Sequence, residues 1–476
     1  LLFPQSFLRS MGMGAIAATL VALIAALTIL PAVLALLGRR INALSLQRLF
    51  RRRNTAQRGN TETQGVWYRL SEMVMRQPII VALVVLAMLV TLGLPFLHAS
   101  YSTPDVRVLP ADQQARIVSD QLSLDFAQQG NAQLTIAVTT HGEVLSAANL
   151  ANLDNYVQSI ERIPGVITVN SLVTVSPTLT LANYQQLYAH PDANPQFSAI
   201  AAQLANGNVT KITVAIQPAD HSAAAQDIVR QVRALPTPGG IIPMVDGTTA
   251  GQIDLLASLG ATLPYALLVM AVAVLVLLFL MTGSLLMPLK AILLNILSLS
   301  ATFGGLVWIF QDGHLQNLLG FTSTGSIDAT QPILIFAIAF GLSMDYEVFL
   351  LSRIKERFDA TGDNRAAVSS GLQRTGWLIT SAALLLAVVV GAFGSSKIVF
   401  IQEIGIGLAI AVIIDATLVR MLLVPATMRL LGNWNWWAPA PLKALWRFVG
   451  LGESTAPRRA VNEVEASPAE REIAQV

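Results

Sequence analysis

Residues 332–353 read PILIFAIAFGLSMDYEVFLLSR. This is an apolar run with a carboxylate, Asp345, set near its middle. At about 1.5 Å per residue a helix of this length is roughly 33 Å long, enough to cross a bilayer core. Asp345 then lies about 20 Å in, a little past the midpoint. A charge at that depth costs several kcal/mol even on lenient insertion scales, so it marks a functional candidate. Gly341 precedes it by one turn on the same face and admits a close helix neighbour. Tyr346 adds a hydroxyl next door.

The composition agrees with a membrane-crossing reading. Of 476 residues, 54% are hydrophobic and 12% charged, against about 25% charged in a soluble globular chain. Several runs of about 20 apolar residues complete the signature of an integral membrane protein. The net charge of +2 says little as a total; its placement says more. With no cysteine, disulfides, thiolate metal sites and cysteine nucleophiles are excluded. The chain begins at Leu1 with neither a Met nor a basic segment and cleavage site, and reads as the C-terminal part of a longer protein.

Seven spans are expected: 11–38, 78–97, 262–281, 289–310, 332–353, 376–394 and 404–431. Arg39, Arg40, Arg48, Arg51, Arg52, Arg53 and Arg58 follow the first, and Arg353, Lys355 and Arg357 close the fifth. Clustered basic residues beside a span favour the cytoplasmic side. A nucleic-acid patch is the other reading of such a run, but this one abuts a span, which suits contact with anionic lipid. Counting crossings puts residues 98–260 and the loop 311–331 outside, and the 282–288 turn and the C-terminus in the cytoplasm. Residues 358–373 suit an amphipathic elbow helix on the membrane surface. Trp434, Trp436 and Trp437 suit an interfacial aromatic belt. Residues 453–476 are polar and Ala/Glu-rich, which suits disorder.

The segment 98–260 lacks a long apolar run. Its pattern gives strands at 131–140, 165–173, 209–218 and 241–247, with helices at 146–162 and 221–235. That is β-α-β twice, the split ferredoxin-like arrangement. The expected class is therefore an α-helical polytopic membrane protein with an inserted α+β, ferredoxin-like extracytoplasmic domain. Its parts are a first helix (1–38), a basic linker (39–77), a helix (78–97), the outside domain (98–260), a five-helix bundle (261–432) and a cytoplasmic tail (433–476).

The first and last spans resemble each other. Residues 13–38 align without gaps on 407–432, sharing Ala15/Ala409, Ile16/Ile410, Ala17/Ala411, Pro31/Pro425 and a closing Leu-Leu-Gly. The match reads as the last helix of two successive halves of like topology. Val21 and Ala26 of the first correspond to Asp415 and Arg420 of the second, so only the later copy carries charge in mid-membrane.

Asp345 suits a proton carrier, a structural hydrogen-bond anchor or a ligand to a coupling cation. Burial raises a carboxyl pKa and a nearby cation lowers it, which brings the group into a range where a proton can come and go. Tyr346 is either a packing residue or the partner of that carboxylate. Asp415 and Arg420 are five apart, about 140° around an α-helix, a poor geometry for pairing with each other. One of them is expected to face another helix, at Asp345 or Tyr346, or else the residues fasten two helices by a salt bridge. Thr380 and Ser381 could donate to Asp345, or bond their own backbone. Glu347 is off the face of Asp345, and Glu403 lies near the outer boundary; both are weaker candidates. Gly405 and Gly407 serve close packing, since a nucleotide loop needs a strand-turn-helix context. Asn208-Val-Thr matches a glycosylation sequon without further support.

GLSMDYEVFLLSRIKE at 341–356 resembles the MMPL family of the RND transporter superfamily. TPDVRVLP at 103–110 and DATLVRMLLVPATMRLLGNWNWW at 415–437 resemble that family's approach to its second outside domain and its last helix. The resemblance covers nearly the whole chain. It implies twelve transmembrane helices in two halves, each with an outside porter domain, exporting lipids or other hydrophobic molecules by proton influx. Asp345 and Tyr346 then match an Asp-Tyr pair of the proton relay, whose partner pair would lie upstream of Leu1.

The expected function is a proton-driven exporter of the bacterial plasma membrane, with no enzyme activity. The expected relay comprises Asp345, Tyr346, Asp415, Arg420 and Ser381. No cofactor and no metal are expected, protons being the coupling ion. The expected partners are a lipid or hydrophobic substrate, membrane lipids, and an N-terminal half or a second copy; no nucleic acid is expected. Two alternatives stand beside this reading. One is an intramembrane aspartyl protease using Asp345 and Asp415, against which Arg420 would compete for a carboxylate. The other is a non-transporting sterol- or lipid-sensing scaffold of the same fold.

Overall fold

The computed structural model describes residues 2–38, 65–103, 105–125, 132–190 and 195–449. The arginine run at 39–58 and the stretch 453–476 lie outside the described residues. Among the described residues, seven helices are long and apolar enough to cross a membrane. We label them α1 (Ser6–Leu37), α2 (Pro78–Gly93), α3 (Thr248–Thr282), α4 (Leu286–Leu306), α5 (Gln331–Thr361), α6 (Asn364–Gly391) and α7 (Val399–Ile414). A π-helical stretch, Asp415–Leu423, and a last helix, Val424–Leu431, extend α7.

These helices are apolar nearly all round, as segments in hydrocarbon must be. Helices α4 and α7 form the inside of the bundle, with most of their apolar stretch buried. Helix α1 stands apart: of its residues only Leu8 is buried, and Gln5 Nε2 donates to Ser258 Oγ of α3 at 3.0 Å. Where α2 crosses α4 the backbones nearly touch. A Cβ at Gly304 would collide with the Leu92 carbonyl oxygen and with Gly93, so only glycine permits this approach.

The expected elbow helix at 358–373 does not form as a separate element. Helix α5 runs on to Thr361 and stops at Gly362, whose φ of 70° is left-handed. The Asp363 side chain accepts from the Arg365 and Ala366 amides and starts α6 at once. Trp436, expected in an interfacial belt, stacks on Phe358 at 4.6 Å under the Lys355 ammonium at 5.4 Å. Trp434 is exposed, as a belt residue would be.

Between α2 and α3 lies an α+β unit. Strand β1 (Tyr101–Ser102) is followed by β2 (Ala132–Thr139), β3 (Val166–Asn170), β4 (Ala205–Asn206), β5 (Val209–Ile216) and β6 (Ile242–Asp246). The sheet order is β3-β5-β2-β6, every neighbouring pair antiparallel, with β4 added to β5. Alternation buries Leu134, Ile136 and Val138 of β2 and Ile212, Val214 and Ile216 of β5. Helices Ala147–Glu161 and Ala223–Ala234, capped by Ser146 and Ser222, bury their apolar stripes in the same core. Burial there pushes the Tyr156 and Tyr188 hydroxyls up to about 12.

Two joints tie this unit to the bundle. Strand β6 passes through Gly247, with φ of 131°, directly into α3; a Cβ at Gly247 would sit 2.8 Å from the Gln133 carbonyl. Strand β1 pairs in parallel with β7 (Ile327–Asp328), just before α5, and Gln252 of α3 donates to the Tyr101 carbonyl at 2.8 Å. We call the membrane face beneath this unit the domain side.

Candidate functional site

Lys290, Glu347, Asp415 and Arg420, all buried, gather in one cluster between α4, α5 and the π-helical stretch after α7. Asp415 is buried and so is Arg420. Arg420 Nε donates to Asp415 Oδ2 at 2.7 Å. The poor geometry expected of this pair is corrected by the local helix type. Residues 415–423 form a π-helix, in which residue i bonds i+5, so side chains five apart stack one above the other. The angle of an ordinary α-helix does not apply there.

Helix α5 grips the pair through Ser343. Its Oγ lies 2.8 Å from Asp415 Oδ1 and 2.5 Å from Asn295 Oδ1 of α4. One hydroxyl proton cannot serve two acceptors. The second contact is satisfied when the Asn295 amide turns its NH2 to Ser343. Arg420 Nη2 also donates to the Ser343 carbonyl, and its guanidinium carbon sits 5.3 Å over the Tyr346 ring. Lys290 of α4 and Glu347 of α5 lie beyond, both buried. Lys290 Nζ, Glu347 Oε1 and Arg420 Nη1 are buried without a hydrogen-bond partner. The charges acting on Glu347 are those of Arg420, Lys290 and Asp415.

Asp345 is not in this cluster. On a helix, residues two apart point to opposite sides, whereas residues four apart share a face. Ser343 and Glu347 therefore face inward together, and Asp345 faces out. It is exposed, on a stripe with Ala337, Ile338, Gly341 and Val348, all exposed. Nothing among the described residues comes within 4 Å of a Cβ built on Gly341, so the close neighbour expected there is absent among the described residues. Tyr346, half-buried, stands between the stripe and the cluster.

Ser381 is a further correction. It is exposed on α6, and its Oγ donates to the Trp377 carbonyl at 2.8 Å. Thr380 likewise bonds the Gly376 carbonyl. Neither donates to Asp345. The cluster instead recruits Asn295, Ser343 and Lys290, none of which the sequence reading proposed. The signals were present: Asn295 and Lys290 interrupt an apolar span, and Ser343 sits four before Glu347.

A second feature lies on the domain side of the bundle. An apolar cavity of about 580 Å³ opens between α3, α4 and α5, lined among others by Leu263, Met270, Ile296, Phe303, Phe336 and Phe340. Its size lies within the range of small-molecule sites.

The family model of the MMPL family matches residues 2–81 and 107–459. The chain belongs to the MMPL family. It is 36% identical over 454 residues to a putative membrane protein of Streptomyces coelicolor, covering 95% of this chain and 56% of that protein. It is 33% identical over 479 residues to the trehalose monomycolate exporter MmpL3 of Mycobacterium tuberculosis, covering 96% and 48%. Membrane protein YdfJ of Bacillus subtilis is 30% identical over 434 residues, with 91% and 54% covered. This MMPL chain thus spans about half the length of the curated relatives it matches. With seven apolar helices it is a multi-pass membrane protein of a transporter family.

Proposed function

We propose that this MMPL chain is one half of a proton-motive-force-driven exporter of lipids or other hydrophobic molecules. The observation that carries the reading is the Asp415–Arg420 pair, buried in apolar helices and held across to α5 through Ser343. Ionised groups at that depth are costly and mark pathways for ions or protons. Adding a proton to Asp415 removes the charge that holds Arg420 and frees α7 to shift against α5. The apolar cavity of about 580 Å³ on the domain side supports a lipid-like cargo, as does the mycobacterial relative, named an exporter of trehalose monomycolate.

In this reading the α+β unit is the porter domain, its sheet order and antiparallel pairing matching the ferredoxin-like arrangement, and the domain side is extracytoplasmic. The C-terminus is cytoplasmic. Motion of the bundle reaches the porter domain through the spans that flank it, α2 and α3. The stripe bearing Asp345 is the seat of a further helix, from an N-terminal half or a second copy. An acid exposed at mid-bilayer is stable only against such a partner or when protonated, which suits a relay residue. Protons are the coupling ion, with no other cofactor.

A protease dyad needs two carboxylates sharing one proton. Asp345 faces away from Ser343, and Asp415 is engaged by Arg420, so the geometry weighs against it. In the full-length protein, Asp345→Asn is expected to insert into the membrane normally and to abolish gradient-driven export from proteoliposomes. Normal export by that variant rejects the relay. No export by the unaltered full-length protein, with its cellular function untouched by collapse of the proton gradient, favours the non-transporting lipid-sensing scaffold.

A further inference from the structure

Glu403 is a buried acid that the relay above does not use. It lies in the first turns of α7, on the domain side, 5% exposed. It lines a small polar cavity of about 20 Å³ with Ser102, Thr103, Asp105, Asp328 and Phe400. That volume holds about one water. The other two carboxylates there have donors. Asp328 accepts from the Thr330 amide at 2.7 Å and from its hydroxyl, and Asp105 pairs with Arg107 at 2.7 Å. Glu403 has no hydrogen-bond or ion-pair partner among the described residues. No lysine or arginine lines the cavity. Asp328 presents its charge from β7 and Asp105 from the linker after β1; Lys397, just before α7, is taken up by Asp112 at 3.7 Å.

The placement of Glu403 along α7 gives it a direction. Glu403, Gly407, Ala411 and Asp415 succeed one another at intervals of four, and all are buried. They form one inward face that starts at the polar cavity and ends at the Arg420 pair, roughly 18 Å away. The two residues between the acids are the small ones. What fills the gap is apolar: a Cβ on Gly407 would meet Ile335 at 2.9 Å and Leu306 at 3.0 Å. An acid at the mouth, an acid in the middle and an apolar plug between them make a gated path.

We propose that Glu403 is the domain-side proton-loading site of this chain, feeding Asp415 along the Gly407–Ala411 face. The proposal rests on the proton-driven reading given above. A hydronium in the cavity gives its proton to a Glu403 carboxylate oxygen, leaving water and a neutral carboxyl. When Ile335 and Leu306 move aside, water fills the face. The proton passes through it to an Asp415 oxygen, and Glu403 returns to a carboxylate. Asp415 then releases Arg420.

This chain contributes no cysteine, so an introduced thiol is unique within it, and any cysteine in the rest of the full-length protein is first replaced by serine. In the full-length protein in membrane vesicles, silver ion added on the domain side, small enough for a one-water cavity, should block Glu403→Cys against maleimide labelling after denaturation, while Ala411→Cys should stay unblocked. In proteoliposomes, Glu403→Gln should lose most proton flux and flatten its dependence on domain-side pH, with the dependence on the opposite bath kept and Glu403→Asp restoring both. A merely structural Glu403 would lower flux at every pH alike, and that result overturns the proposal. So does a Glu403→Cys thiol inaccessible from the domain side, a readout that needs no transport. Asp345→Asn is run in parallel. If it abolishes flux while Glu403→Gln behaves as the parent, only the loading site fails; if both transport normally, the proton-driven reading fails.

Discussion

Arg420 illustrates how much one residue can hold. It donates to Asp415, to the Ser343 carbonyl and over the Tyr346 ring, so it joins α5 to the stretch beyond α7. Arg420→Leu leaves Asp415 buried without a cation, and removing one partner of a buried pair costs about 3–5 kcal/mol. We expect a large drop in thermal midpoint of the detergent-solubilised protein. The double variant Asp415→Asn/Arg420→Leu should recover much of it, because neither charge is then stranded. Arg420→Lys should not substitute, since a single ammonium cannot donate along two directions and lie flat over a ring. This is also where reading the sequence fell short in an instructive way. Asp415 and Arg420 were both visible as charges in oil, but their pairing depends on a local change of helix type that no periodicity announces. Asp345 was visible too, yet the inward face is set by Ser343 and Glu347, and two residues along a helix suffice to turn a side chain to the opposite side.

At the scale of elements, the helices were legible because length and apolarity alone define a span, and β2 and β5 because every second residue is apolar. The junction between α5 and α6 was not, because Gly362 and Asp363 end one helix and begin the next within two residues. Two glycines separate packing already made from packing still to be made. Gly304→Leu forces a side chain into the α2 backbone, and such overpacking costs about 1–3 kcal/mol; a lowered thermal midpoint checks it. A Cβ at Gly341 meets nothing within 4 Å among the described residues, so the stability of Gly341→Leu should stay within about 0.5 kcal/mol of the parent. If a further helix covers Asp345 as proposed, the same substitution in the full-length protein should reduce export by obstructing it. Equal destabilisation by both would show that the stripe is already covered within this chain.

Across the whole molecule, stability also depends on a contact on the far side from the α+β unit. Glu72, on the helix Val66–Arg76, accepts from Arg365 and from Ser369 of α6. The Arg365 guanidinium holds the Glu72 carboxyl below its ordinary 4.5. A lowered folded-state value means stability that is present above the unfolded value and lost as pH falls through the folded one. Unfolding midpoints should therefore decline below about pH 4.5, and Glu72→Gln should flatten that decline. The pair is partly exposed, so the effect is no more than about 1 kcal/mol; an unchanged pH profile in the glutamine variant would show that the contact adds nothing.

The direct run of β6 through one glycine into α3 carries a mechanical consequence. Thr248–Thr282 is 35 residues long, a rod of roughly 52 Å. Joined to β6 through one glycine and fastened by Arg233 to Asp254 at 2.6 Å and by Thr249 to Asp220 at 3.2 Å, the upper turns move with the α+β unit, and the rod works as a boom. Swinging its lower end by about 5° sweeps the upper end through roughly 4–5 Å, comparable to the spacing between adjacent strands. Small adjustments deep in the oil would thus be magnified into a stroke at the sheet, and a flexible insert at Gly247 combined with Asp254→Ala and Thr249→Ala should weaken that stroke while leaving the boom upright.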